Sequence, residues 1–255
     1  MNSHRFVRLA LATAVIASAL IGGSVASADS TTELRPDLAM LAPRDFSVEH
    51  GARGVRRLRF DTIVVNVGAG PFDVYGVPNS ATPGSYDVTQ RIRDTASGGW
   101  TAYPTRATMF FAGDGHNHWH VRELQHWTLA SVNSPANVLR RGAKTGFCFW
   151  DNYAYPGTTP VYYYPTTTSA CATDGAGNVP MGLSVGWGDE YPSNIGLQYI
   201  DITGLAYGDY VLTIAADPLA QFVESNDTNN SNWARIRIRK NGVTLLAQGA
   251  QPPQP

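Results

Sequence analysis

The sequence predicts a mainly β protein, an antiparallel β-sandwich with long irregular loops and little helix. Three observations predict it. Twelve Tyr, six Trp, 25 Gly and 16 Pro stand beside only 15% charged residues, and aromatic residues favour strands while Gly and Pro mark turns. Short runs rich in β-branched residues are closed by such turn signals. Finally, Arg235-Ile236-Arg237-Ile238-Arg239 alternates at every step, the period of a strand with one buried and one solvated face.

The chain begins with a removable leader. Arg5 and Arg8 form a basic start, Leu9 to Ile21 is an apolar run of thirteen, and Ala26-Ser27-Ala28 supplies small residues before a cut at Asp29. Residues 1–28 therefore read as a secretory signal peptide; the run is too short for a membrane span, so no stable membrane anchor is expected. The protein is expected to be secreted. Loss of two Arg with the leader takes the formal charge from −1 to −3. No basic patch suggests nucleic acid as a partner. The rest is enough for one sizeable domain, expected over residues 29–247.

Taken in order, residues 29–35 are polar, and Leu34-Arg35-Pro36-Asp37-Leu38 begins the ordered part. Leu58 to Val67 reads as a strand buried at its centre, ended by Gly68-Ala69-Gly70-Pro71. Phe72 to Val77 is a second strand. Residues 79–105 read as loop-rich, with one hairpin around Ser97-Gly98-Gly99. Thr108 to Phe111 leads into a histidine-rich stretch, and Val121 to Ala130 continues as a strand or strand pair. Ala136 to Lys144 is assigned a helical turn between Pro135 and Gly142. Thr145 to Trp150 is a short aromatic strand around Cys148. Residues 153–180 form a long irregular loop with five tyrosines. Leu197 to Ile202 is a strand, and Gly208-Asp209 reads as a hairpin-type turn before Tyr210 to Ile214. Gln248 to Pro255 reads as a disordered Pro/Gln tail.

Cys148 and Cys171 are the only cysteines. In an exported protein an even pair reads as one disulfide, and its loop would add about 3–3.5 kcal/mol on the chain-entropy account.

The stretch Gly113-Asp114-Gly115-His116-Asn117-His118-Trp119-His120 holds the strongest chemical signal. Four of the six histidines fall within eleven residues, three of them at strict two-residue spacing. Imidazole suits zinc, copper, iron and nickel, so His116, His118 and His120 read first as a metal site. Residues i, i+2 and i+4 share one face of a strand, with the outer Cα atoms ~13 Å apart. If all three bind one ion, the segment must bend, which Gly113 and Gly115 ease. His126 has the same parity but lies too far along a continuous strand to share that ion.

Three blocks in order resemble the catalytic domain of the lysyl oxidases, secreted bacterial-type members in particular. His116-Asn117-His118-Trp119-His120 matches the family's His-x-His-x-His copper site. Lys144-Thr145-Gly146-Phe147-Cys148 resembles its Lys-x-x-Phe-Cys segment. Gly182-Leu183-Ser184, Gly186 and Asp189-Glu190-Tyr191 open the third block. It runs on through Tyr199-Ile200-Asp201-Ile202-Thr203, Gly208 to Leu212 and Glu224 to Asn230.

The resemblance implies a copper-dependent amine oxidase of the protein-lysine 6-oxidase or primary-amine oxidase type. Its cofactor, lysine tyrosylquinone, would be self-derived from Lys144 and Tyr191. The copper ligands carry over to His116, His118 and His120, and the cysteine pair matches a family disulfide. The implied reaction oxidises a primary amine, peptidyl lysine in particular, to an aldehyde. Dioxygen is the co-substrate, and ammonia and hydrogen peroxide are released. A lysine amine must be neutral to add to an oxidised tyrosine ring, and burial disfavours the charged form. Asp189, two residues before Tyr191 and on its face in a strand, is a candidate base; so is Asp201. The resemblance implies no oligomeric state.

Two other classes compete. A non-catalytic secreted β-sandwich module binding copper or zinc would need the histidines alone. A zinc hydrolase would need a carboxylate base beside an open metal position, and no His-Glu-x-x-His motif supports it.

Overall fold

The computed structural model describes residues 32–112, 117–158, 164, 171–172 and 177–252; the leader assigned to residues 1–28 lies outside them. Among the described residues there are eighteen strands and one short 3-10 turn, Ala52–Gly54. The strands are β1 (Glu33–Leu34), β2 (Leu38–Met40), β3 (Arg44–His50), β4 (Arg56–Asn66), β5 (Phe72–Pro78) and β6 (Ser85–Asp94). Next come β7 (Trp100–Ala112), β8 (His118–Arg122), β9 (Gln125–Ser131), β10 (Ser134–Arg141), β11 (Gly146–Phe147) and β12 (Tyr153–Ala154). The last are β13 (Val179–Leu183), β14 (Trp187–Tyr191), β15 (Tyr199–Asp201), β16 (Gly208–Ala216), β17 (Ser231–Arg239) and β18 (Gly242–Gln248).

They form three antiparallel sheets, as the predicted class requires. The seven-stranded sheet runs β11-β8-β7-β6-β5-β13, with β1 on β6. The five-stranded sheet runs β10-β9-β16-β17-β18. In the six-stranded sheet β4 is the hub: β14, β15, β2 and β3 all pair with it, and β12 extends it beyond β14.

One core lies where the three sheets face each other. Val121 and Phe147 come from the first, Trp127, Leu129 and Ile236 from the second, Phe60, Val64 and Tyr191 from the third. Phe147 meets Trp127 edge-on at 5.5 Å and Tyr191 at 5.2 Å, and Trp127 meets Phe60 at 5.3 Å. Edge-to-face aromatic pairs stabilise by ~0.5–1.5 kcal/mol beyond their buried area. A smaller cluster of Ala39, Leu41, Ile63, Val65 and Tyr155 covers the other face of β4. Burial on both faces is why β4 reads as a continuous apolar run rather than an alternation.

β17 shows the predicted alternation, with Ile236 and Ile238 buried and Arg235 and Arg239 exposed. Other expectations need correction. Residues 79–105 are not mainly loop: β6 and β7 fill much of the segment, joined by a turn at the expected hairpin. Tyr86, Val88, Gln90 and Ile92 are buried at period two. The polar Gln90 hides that row, and its side chain is satisfied by both backbone groups of Val223. Ala136 to Lys144 has no helical turn; β10 occupies most of it as an edge strand on β9. An exposed edge strand has no buried face to imprint a period, so no strand pattern shows there. Only Gly146 and Phe147 of the expected 145–150 strand pair, with β8. Gly208-Asp209 opens β16 opposite Ile238 and Arg237 instead of turning.

The Pro/Gln segment assigned to a disordered tail makes specific contacts as far as Pro252. Gln248 closes β18, Asn232 Nδ2 donates to Ala250 O at 2.8 Å, and Tyr155 Oη donates to Pro252 O at 2.6 Å. Residues 253–255 lie outside the described residues. Among the described residues no helix is long and apolar enough to cross a membrane.

Truncating Phe147 removes a ring shared by all three sheets. Phe147→Ala is expected to lower unfolding stability by about 3–5 kcal/mol, read as a shift of the urea midpoint.

Candidate active site

Two groups of side chains carry chemistry. The first is on β8. His118 and His120 share a face, and their Nε2 atoms are 2.9 Å apart. His120 is buried, its ring edge-on to Phe110, the residue opposite it on β7. Imidazole nitrogens sit ~2.0–2.1 Å from a bound first-row metal, so two ligands at a right angle lie ~2.9 Å apart. The donor set therefore fits a metal, copper included, which favours imidazole; a shared proton gives the same separation. His116 lies outside the described residues. The chain turns sharply just before β8, where Asn117 has φ 52°.

The second group is Lys144 and Tyr191, both buried. Lys144 Nζ lies 5.4 Å from the Tyr191 ring centre and 5.3 Å from that of Phe147. The loop carrying Lys144 is pinned by backbone bonds: Gly142 N to Trp127 O, Ala143 N to Tyr199 O, and Glu123 N to Thr145 O. Close approach sets two of its residues. A Cβ on Gly142 would meet the Trp127 ring at 2.6 Å, and one on Gly146 would meet the Phe110 ring at 2.5 Å.

The Tyr191 hydroxyl donates to Cys148 O at 2.6 Å and accepts from Cys148 N at 3.0 Å. Asp189 shares its face on β14, as expected, and is buried. Asn152 Nδ2 donates to Asp189 Oδ1 at 2.5 Å. Burial pushes the Asp189 carboxyl well above the carboxylate range, against the Tyr191 hydroxyl and the Lys144 charge, which pull it down. Burial and then the Asp189 charge push the Tyr191 phenol well up. Asp201, the other candidate base, is exposed on β15 opposite Arg57, where hydrogen bonds from Thr203 hold it low.

Strand register relates the two groups. Val121 is opposite Phe147, and Arg122 is opposite Gly146. Directly opposed residues point to the same face, and neighbours alternate. Phe147, with Tyr191 and Lys144 against it, is on the inner face; His118 and His120 are on the outer one. The pairs are separated by one ladder, not gathered on one surface. Gly146 packs closely under the histidine face: a Cβ there would stand 2.9 Å from that of His120.

Sequence reasoning missed a third feature. A cavity of about 290 Å³ opens onto Lys144, walled by Glu123, His126, Trp127, Arg141, Gly142 and Thr145. His126 is on β9 in the five-stranded sheet, its Nε2 3.5 Å from Glu123 Oε2. The signal was there: Val121 and Leu124 are both buried, a spacing of three that breaks strand parity at Glu123. A larger cleft of about 660 Å³ beside Arg56 and Tyr207 shares no wall with either group.

Cys148 and Cys171 are joined in a disulfide. Cys171 accepts from Trp119 N on β8 and donates to Pro180 O on β13, so the bridge fastens the Tyr191 clamp to the seven-stranded sheet. Opening it by Cys148→Ser with Cys171→Ser should cost about 3.5 kcal/mol on the chain-entropy account, measured by denaturant titration.

A sequence model of the lysyl oxidase family matches residues 89–247, more than half of the chain. Lysyl oxidase homolog 2 of Xenopus tropicalis is 33% identical over 125 residues, 49% of this chain and 15% of that protein. Lysyl oxidase homolog 4 of Bos taurus is 31% identical over 131 residues, 51% of this chain and 16% of that protein. Protein-lysine 6-oxidase of Homo sapiens is 33% identical over 135 residues, 52% of this chain and 29% of that protein. The matched stretch is thus between 15% and 29% of the length of these relatives. The chain belongs to the lysyl oxidase family.

Proposed function

We propose that this member of the lysyl oxidase family is a copper-dependent amine oxidase with a lysine tyrosylquinone made from its own Lys144 and Tyr191. It would oxidise primary amines, peptidyl lysine among them, to aldehydes, using dioxygen and releasing ammonia and hydrogen peroxide. The observation that carries this reading is the placement of Lys144 Nζ 5.4 Å from the centre of the Tyr191 ring. A buried lysine over a buried tyrosine ring is what a crosslink between them needs.

His118 and His120, with His116, would hold the metal. Copper supplies redox chemistry when bound, and the quinone supplies a carbonyl electrophile for amines. The remaining roles belong to this chain's own groups. Cys148 fixes the Tyr191 oxygen through two backbone bonds, and Phe147 sets the tilt of the ring. Asp189 lies beside that ring with its carboxyl pushed upward by burial, which suits a group that exchanges a proton with the tyrosine oxygen. Burial of all three side chains keeps bulk water from the reacting atoms. The disulfide is in keeping with an exported protein.

One observation favours a second reading, a non-catalytic copper- or zinc-binding module: the histidine pair faces away from Lys144 and Tyr191 across the β8–β11 ladder. That module predicts no crosslink.

The deciding experiment is a peptide map after aerobic incubation with Cu(II), beside a metal-free control. Migration of the Lys144 and Tyr191 peptides as one species is expected; separate peptides after full copper loading leave the module. Lys144→Arg and Tyr191→Phe should each abolish amine-dependent peroxide and leave copper binding largely intact, and full activity in either sinks the oxidase. His120→Ala should weaken copper binding by more than about tenfold, measured by competition with a chelator.

A further inference from the structure

We infer that the cavity at the β8–β9 corner is the inlet for the substrate amine, and that Glu123 receives the ammonium of an unbranched primary amine there. The inference rests on the proposed amine oxidase reading and adds the route and the recognising residue. Lys144 is otherwise enclosed by the core, and this cavity has it as part of its wall. An amine arriving here meets Lys144, whose Nζ is 5.4 Å from the Tyr191 ring centre, without passing His118 or His120.

The chemistry of the wall fits a cation on a slim apolar arm. Trp127 and the bare backbone of Gly142 give a flat apolar side, and Gly142 leaves no room for a side chain against that ring. Glu123 is the one carboxylate among the lining residues. Its side chain is 47% exposed, so it can meet an amine before desolvation begins. Its backbone N–H is bonded at 2.8 Å to Thr145 O, the residue after Lys144, which ties the carboxylate to the loop carrying the reacting amine. It also has φ 55°, a conformation that glycine or asparagine adopts more readily. A glutamate kept there at conformational cost calls for a role. His126 contacts the same carboxylate and reports on its occupancy. Arg141, also in the lining, disfavours a second positive charge close to the first, which selects monoamines or well-spaced diamines.

A merely structural Glu123–His126 pair would stabilise the corner and leave amine binding unchanged. The test uses n-butylammonium as probe. In metal-free protein it should shift the His126 ring resonances on titration, and Glu123→Gln should remove the shift. In copper-matured enzyme Glu123→Gln should raise KM for n-butylamine about fivefold, as expected for loss of a half-exposed ion pair. Its kcat should stay within about twofold and phenylhydrazine-titratable quinone per chain should stay at the parent level; Glu123→Asp should restore part of the affinity. A parental KM in Glu123→Gln, or no His126 response in the parent protein, overturns the inlet. Failure of the parent to form quinone instead overturns the oxidase reading, while the metal-free titration still judges the inlet.

Discussion

The Phe147 ring is the contact on which the rest of the structure depends. It belongs to the seven-stranded sheet, leans edge-on against Trp127 of the five-stranded sheet, and meets Tyr191 of the six-stranded sheet. The three sheets meet at one aromatic node, and the bonds from the Tyr191 hydroxyl to the Cys148 backbone tie two of them together beside it. Lys144 Nζ rests over the same ring. The geometry of the candidate site and the packing of the core are therefore one arrangement: moving any sheet shifts the lysine relative to the tyrosine.

The hydrogen bonds around that node complete it. Both polar groups of the Cys148 backbone are taken up by the Tyr191 hydroxyl, so β11 does not extend as a strand through this residue. The bonds a longer strand would have made are replaced by a clamp on one side chain, and the disulfide keeps the clamp in place. Buried donors and acceptors must find partners somewhere; here the partner is the Tyr191 hydroxyl.

β alternation also divides the chemistry. Along β8 the odd residues Trp119 and Val121 face the core while His118 and His120 lie on the opposite face, where His120 is buried against Phe110. The histidine pair and the lysine–tyrosine pair are thus assigned to opposite faces of a single ladder. Period two makes this assignment all-or-none, because a one-residue slip would exchange the faces entirely.

Much was legible in the sequence, and for local reasons. The alternation of Arg235–Arg239 determined a half-buried strand, the apolar run of Leu58–Val67 a strand buried on both faces, and the lone cysteine pair a bridge. The ordered blocks around His118, Lys144 and Tyr191 determined the family. What failed in sequence had no local signature. Gln90 masked the buried row of β6 because its partner is Val223, far along the chain. The exposed β10 carried no period, since its strand state comes from pairing with β9. Only the tertiary structure decided that Lys144 lies over Tyr191 and that Glu123 and His126 stand at the opening beside them. It decided too that His118 and His120 turn the other way. Each depends on register and on sheet-to-sheet packing, contacts between residues distant in sequence that no local pattern encodes.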